Sequence, residues 1–159
     1  MNGRILAGQQ NGAYVIKLIG DVRLTLCAAL EDYLERMFED NGLQSVTVNL
    51  REAEGIDSTT LGILARMALR ARRECGFKPI ICSCDASINR LLESMAFDQI
   101  FEIHKEDASG PEPVSELPTV LKDTAQVKQK VIEAHGALMD LSEQNRVRFQ
   151  DLITSLKQN

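Results

Sequence analysis

The sequence predicts an α/β fold: an open mixed β-sheet packed against helices, with an additional C-terminal helical extension. Three observations carry this expectation. Short apolar runs of strand type alternate with segments of helical periodicity between residues 13 and 103. Asn11-Gly12 separates the first two runs as a hairpin turn would. After an acidic stretch that holds three of the four prolines, the pattern turns wholly helical. The 159 residues, 44% of them hydrophobic, suffice for one domain and an appendage.

The first strand is expected near Arg4 to Ala7, and Asn11-Gly12 then turns the chain into Ala13 to Ile19, making an antiparallel hairpin. After Gly20-Asp21, the residues Leu26, Leu30, Leu34, Met37 and Phe38 form one helical stripe with Glu and Arg opposite, ended by Asn41-Gly42. A strand over Val46 to Leu50 follows, then a short charged loop, Arg51 to Glu54. A helix from Thr59 to Cys75, ended by Gly76, carries Leu61, Leu64, Ala65, Ala68 and Ala71 at helical spacing. A strand over Pro79 to Cys82 leads to a third helix, capped by Asp85 or Ser87, with Ile88, Leu91, Leu92 and Met95 inward. A last strand is expected near Ile100 to Ile103. Crossovers of this kind make neighbouring strands parallel and put partner sites in the loops beyond their carboxyl ends.

Residues 1–105 therefore read as the α/β domain, 106–118 as an acidic proline-containing linker that runs extended, and 119–159 as an amphipathic helical extension. In the extension Val120, Val127, Val131, Ala134, Leu138 and Leu141 approach a heptad seam, and Phe149, Leu152, Ile153 and Leu156 make a second stripe. A continuous helix over Thr119 to Lys157 would be about 60 Å long, so it must bend, fold back or meet something. Gly136 is the expected weak point, because glycine inside a helix costs about 1 kcal/mol relative to alanine. The extension either packs on its own domain or dimerises or docks in a partner's groove.

A net charge of −5 argues against nonspecific nucleic-acid binding, which needs a basic face. The apolar runs are far too short for membrane insertion, and the N-terminus lacks a basic region followed by a signal-peptide core, so a soluble cytoplasmic protein is expected. Cys27, Cys75, Cys82 and Cys84 have no C-x-x-C pair or suitably spaced histidine; they read as reduced, mostly buried thiols rather than metal ligands. His104 and His135 stand isolated and far from any candidate nucleophile in sequence.

The stretch Gly55 to Leu64, G-I-D-S-T-T-L-G-I-L, places a hydroxyl where a strand hands over to a helix. Ser58 is expected at the N-cap, with Asp57 beside it adding charge favoured by the helix dipole. An Asp-Ser pair after a buried strand, a small residue and then Leu-Gly resembles the signature of STAS domains of the anti-sigma factor antagonist type. The stretch Leu91 to Ile103 resembles that family's later helix, turn and final strand, so the resemblance covers roughly Arg4 to Lys105. Two positions depart from it: Thr60 and Ala96 stand where many members have glycine. The long extension also exceeds the family pattern.

The resemblance implies that Ser58 is phosphorylated by a kinase that is itself the anti-sigma factor, and that a phosphatase resets the cycle. Unphosphorylated Ser58 permits binding, frees the sigma factor and so regulates transcription. Thr59 is the rival acceptor, expected in an exposed first turn. Asp57, Ser58, Thr59, Thr60 and Leu61 are the expected partner-binding residues. Intrinsic catalysis is not expected: no G-x-S-x-G elbow or G-x-x-x-x-G-K-[ST] loop is present, and no cofactor is implied. The alternative is a non-phosphorylated STAS scaffold subunit of a larger complex, with Ser58 as a cap and the extension as the binding element, through a second partner or self-association.

Overall fold

The computed structural model describes residues 2–106, 110–119 and 123–158. β1 (Arg4–Gln10) and β2 (Ala13–Val22) form the expected hairpin, and the turn works because Asn11 and Gly12 both adopt positive φ, 52° and 85°. β2, β3 (Ser45–Ile56), β4 (Ile80–Cys82) and β5 (Glu102–His104) then pair in parallel, giving the order β5-β4-β3-β2-β1-β6. Residues of β3 show the burial logic: Val46, Val48 and Leu50 are fully buried while Thr47 and Asn49 between them are not.

Three crossovers link the parallel strands: α1 (Cys27–Phe38), entered through a 3₁₀ turn at Leu24–Leu26, α2 (Ser58–Arg70) and α3 (Ala86–Ser94). Because the strands are added in one direction, right-handed crossovers put all three helices on the same face of the sheet. Asp85 caps α3 through its bond from the Ile88 amide, 3.0 Å, so Ser87 is not the cap. α2 closes in a π-helical turn over Ala71–Cys75 before Gly76.

Several expectations need correction. Arg51 to Glu54 are not a loop: β3 continues to Ile56 because two register shifts against β2 absorb the extra length, and Lys17 pairs with Glu52 across the strands. Ile100 and Phe101 are not strand residues but buried anchors after a 3₁₀ turn at Phe97–Gln99, and β5 starts at Glu102. Ala96, at one of the positions departing from the family pattern, adopts φ 66°, a left-handed conformation that glycine meets without a Cβ penalty. Cys75 and Cys84 are exposed, and Cys27 and Cys82 alone are buried, since β4 ends before Cys84.

The acidic proline-containing segment contributes β6 (Ser115–Glu116), which pairs antiparallel with β1 and covers the sheet edge. Leu117 is buried beside it and its amide bonds the Ile5 carbonyl, 2.8 Å; Arg4 pairs with Glu116.

The extension forms α4 (Thr124–Met139) and α5 (Glu143–Gln158), a helical hairpin that folds back on its own domain. Asp123 caps α4 in a reciprocal capping box with Gln126. The break falls at Asp140 to Ser142 and not at Gly136, which lies inside α4. Ser142 decides this, its hydroxyl accepting from the Asn145 amide at 3.1 Å and starting a new helix. Val120, the first residue of the expected seam, lies outside the described residues. Of the others, Ala134, Leu138, Phe149 and Ile153 are buried, and Leu152 is exposed. The molecule thus has three layers: sheet, α1 to α3, and the α4–α5 hairpin over α2. No helix among the described residues is long and apolar enough to cross a membrane.

Candidate functional site

β3 ends at Ile56, and α2 starts two residues later at the carboxyl edge of the sheet. Asp57, in extended conformation, is the N-cap, and Ser58 is the first helical residue, one position further in than expected. The reason is the reach of the carboxylate. Asp57 Oδ1 accepts from the Thr60 amide and from the Thr60 hydroxyl, both at 2.8 Å, charge-assisted bonds that a serine hydroxyl cannot match. Ser58 is left free of the capping task.

Its hydroxyl goes elsewhere. Ser58 Oγ lies 2.8 Å from His135 Nε2, although 77 residues separate the two. His135 sits on α4, is 1% exposed, and its Nδ1 lies 2.8 Å from the Val131 carbonyl oxygen. A carbonyl only accepts, so Nδ1 carries a proton; in the neutral ring Nε2 is then the acceptor and Ser58 donates. The Phe149 ring of α5 stands edge-on to the imidazole, centroids 4.9 Å apart, and fixes the ring plane. The expectation that His135 is isolated is therefore wrong: folding of the extension brings it onto Ser58.

The other expected site residues are mostly inside. Thr59 is 7% exposed rather than standing in an open first turn, Thr60 is fully buried, and Leu61 packs in the core. Asp57 and Ser58 alone of the five are partly open. α2 is buried around nearly its whole circumference, since Ile63 and Met67, which lie off the sheet-facing stripe, are as buried as Leu61 and Leu64 on it. The cover on the outer side is α4. At the crossing, a Cβ on Gly62 would lie 2.2 Å from the Ala134 carbonyl oxygen, so the two helix backbones all but touch. At the rim, Arg66 pairs with Glu133 at 3.0 Å and with Glu31 of α1 at 3.3 Å, while Lys130 pairs with Glu31 at 2.5 Å. The bond to Glu31 holds the Lys130 ammonium above its usual range.

Beneath the site, Cys27 Sγ lies 3.4 Å from Thr60 Oγ1. Burial pushes the Cys27 thiol up from 9.0 to about 12, with Asp57 and Glu31 adding to the rise and the Thr60 bond opposing it. It is an inert thiol. Burial likewise lifts Tyr14 from 10.0 to about 12, helped by its hydrogen bond to Asp40 at 2.6 Å. Both groups bind their protons more tightly folded than unfolded. The stability they support is intact below pH 9 and is lost as pH rises from 9 to about 12. Urea denaturation at pH 8 and pH 10.5 should show this loss, smaller in Cys27→Ala; an identical loss in that variant would remove Cys27 from the account.

His135, Gly62 and Ala134 are the residues that sequence reasoning missed. A signal was present: apart from the narrow stripe of Arg66 and Arg70, the residues Gly62, Ile63 and Met67 extend the apolar surface of α2 beyond its sheet-facing stripe, and a helix so widely apolar needs cover on a second side. His135 falls on the apolar run Val131, Ala134, Leu138 at helical spacing, which puts it on the covering side.

The family model described as the STAS domain matches residues 4–109. No curated protein matches the chain by sequence. Among solved structures, the chain is similar to the crystal structure of an anti-sigma factor antagonist from Mycobacterium paratuberculosis, at TM-score 0.56 and 19% identity, covering 66% of this chain and 87% of that one. At that identity the likeness is one of fold. α4 and α5 lie beyond the residues that the family model matches.

Proposed function

The chain belongs to the STAS domain family, and from that premise we propose that it is an anti-sigma factor antagonist that switches partners through Ser58. The reading is carried by one observation: a serine at the first turn of α2, at the carboxyl end of β3, relieved of capping by Asp57 and partly open. The fold likeness to an anti-sigma factor antagonist points the same way.

Unphosphorylated, Ser58 lets the anti-sigma factor bind at the Asp57–Ser58 edge of α2, which frees the sigma factor. Phosphorylation by the partner kinase adds roughly 1.5 to 2 negative charges beside Asp57. The N-terminal end of α2 tolerates much of that charge within the fold, because its dipole and free amides favour an anion. A partner surface shaped for a neutral hydroxyl does not, since a like or desolvated charge at an interface costs several kcal/mol. A phosphatase then restores the binding form. The chain acts as substrate and ligand, with no chemistry of its own.

One observation favours the second reading, a scaffold subunit in which Ser58 is structural: its hydroxyl is already bonded to a buried histidine. The two readings separate on binding to the anti-sigma partner, measured by calorimetry. Ser58→Ala should bind as well as the unmodified chain, and Ser58→Asp at least about tenfold more weakly, 1.4 kcal/mol or more. Equal affinities would sink the switch and leave the scaffold.

A further inference from the structure

We propose that the α4–α5 hairpin is an intramolecular competitor for the Ser58 face of α2, so that an anti-sigma partner or kinase reaches Ser58 only when α4 lifts. The proposal rests on the reading of Ser58 as the switch residue, and deepens it by naming a second level of control.

Four contacts define the closed state. His135, itself 1% exposed, accepts from the Ser58 hydroxyl at 2.8 Å, so the hydroxyl of the partly open Ser58 is engaged and its α4 side is filled while α4 is in place. The Gly62 and Ala134 backbones meet with no room for a methyl group between them, which leaves no slot for another helix. Arg66 and Lys130 tie α1, α2 and α4 together at the rim through Glu31 and Glu133. At the far end Asn145 Nδ2 donates to the carbonyls of Met95, 2.9 Å, and Leu138, 2.8 Å, which fixes the bend of the hairpin onto the end of α3.

The closed state is also a separable one. Strands β1 to β5 and helices α1 to α3 are built from residues 4–104, β6 adds only an edge pair at Ser115–Glu116, and the hairpin starts at Thr124, outside the stretch that the family model matches. Of its rim pairs, Arg66–Glu133 is open to solvent at both ends, 45% and 33% exposed, and such a pair contributes little; the Lys130–Glu31 pair is the firmer tie, because Glu31 is only 11% exposed. The face the hairpin covers suits a helix with a small residue at the crossing, an acidic residue beside it to meet Arg66 and a basic residue one turn away to meet Glu31. α4 presents that pattern in Lys130, Glu133 and Ala134. A partner that binds this face must match it, and a fraction of open chains sets its apparent affinity.

The test uses the full chain with the exposed thiols removed, Cys75→Ser and Cys84→Ser, and a reporter thiol at the site, Ser58→Cys. The reporter's reaction with Ellman's reagent should be at least about tenfold slower than that of Cys75 in the chain carrying Cys84→Ser alone, and Ala134→Glu should remove most of this protection. Hydrogen exchange checks that β2 and β3 keep their protection in that variant; if they do not, the milder Ala134→Val replaces it. A reporter thiol as reactive as Cys75 with the extension intact overturns the proposal, as does unchanged protection of the reporter when α4 amides exchange faster. Lack of phosphate on Ser58 in cells would sink the switch and leave these thiol rates standing; a freely reactive reporter would do the reverse.

Discussion

Replacing Gly62 by alanine will destabilise the protein by about 2 kcal/mol, although the same substitution inside a helix normally stabilises by roughly 0.5 to 1 kcal/mol. The sign is decided by what the new methyl group meets. At Gly62 the added Cβ lies 2.2 Å from the Ala134 carbonyl oxygen and 2.7 Å from the Ala134 Cβ, and the first of these is backbone that cannot rotate away. α4 must shift or leave α2, losing the burial of Ala134, Ala137 and Leu138 with it. Gly136 supplies the control: it lies inside α4 with nothing within 4 Å of its Cβ position, so alanine there should stabilise by roughly 0.5 to 1 kcal/mol. Urea denaturation of the two variants measures both signs, and hydrogen exchange locates the loss. Stabilisation by both substitutions would mean that α4 does not press on α2.

The contrast between these two glycines also marks how far the sequence could be read. Both are glycines in helical patterns, and only the partner across the crossing tells them apart. Elements whose signal is local were legible: the Asn11-Gly12 hairpin, the stripes of α1 and α3, and the alternation in β3 all follow from neighbours in the chain. Where a long-range contact chooses among local options, or two local signals compete, the reading slipped. β3 runs on through charged residues because β2 is there to pair with them. The cap moved from Ser58 to Asp57 because a carboxylate reaches two donors of Thr60 at once. The hairpin breaks at Ser142, a local cap signal that Gly136 overshadowed. The Ser58–His135 bond spans 77 residues, and no spacing rule yields it; the apolar character of α2 on its outer side announced a cover without saying which residue the cover would place over the serine.

Asp57→Ala is expected to cost about 3 kcal/mol, more than the typical 1 kcal/mol of a lost helix cap. The excess comes from Thr60. Its side chain is fully buried, and its hydroxyl donates to the same Asp57 oxygen that accepts from its amide. Without Asp57 the hydroxyl keeps only the Cys27 sulfur, a weak acceptor at 3.4 Å, and a buried donor left unsatisfied costs about 1 to 3 kcal/mol. Thr60→Val removes the donor along with the bond, and the half-open carboxylate it leaves can meet water, so that change alone should cost about 1 kcal/mol. In the Thr60→Val background Asp57→Ala should then cost little beyond the cap itself, giving a coupling of about 1 to 2 kcal/mol in a double-mutant cycle. Asp57→Asn, which keeps an acceptor oxygen, should recover most of the loss. The cycle also bears on function, because the capped turn sets where Ser58 points: a strong coupling means that the Ser58 edge is held by the Asp57–Thr60–Cys27 chain, and an Asp57→Ala cost independent of residue 60 would mean that it is not.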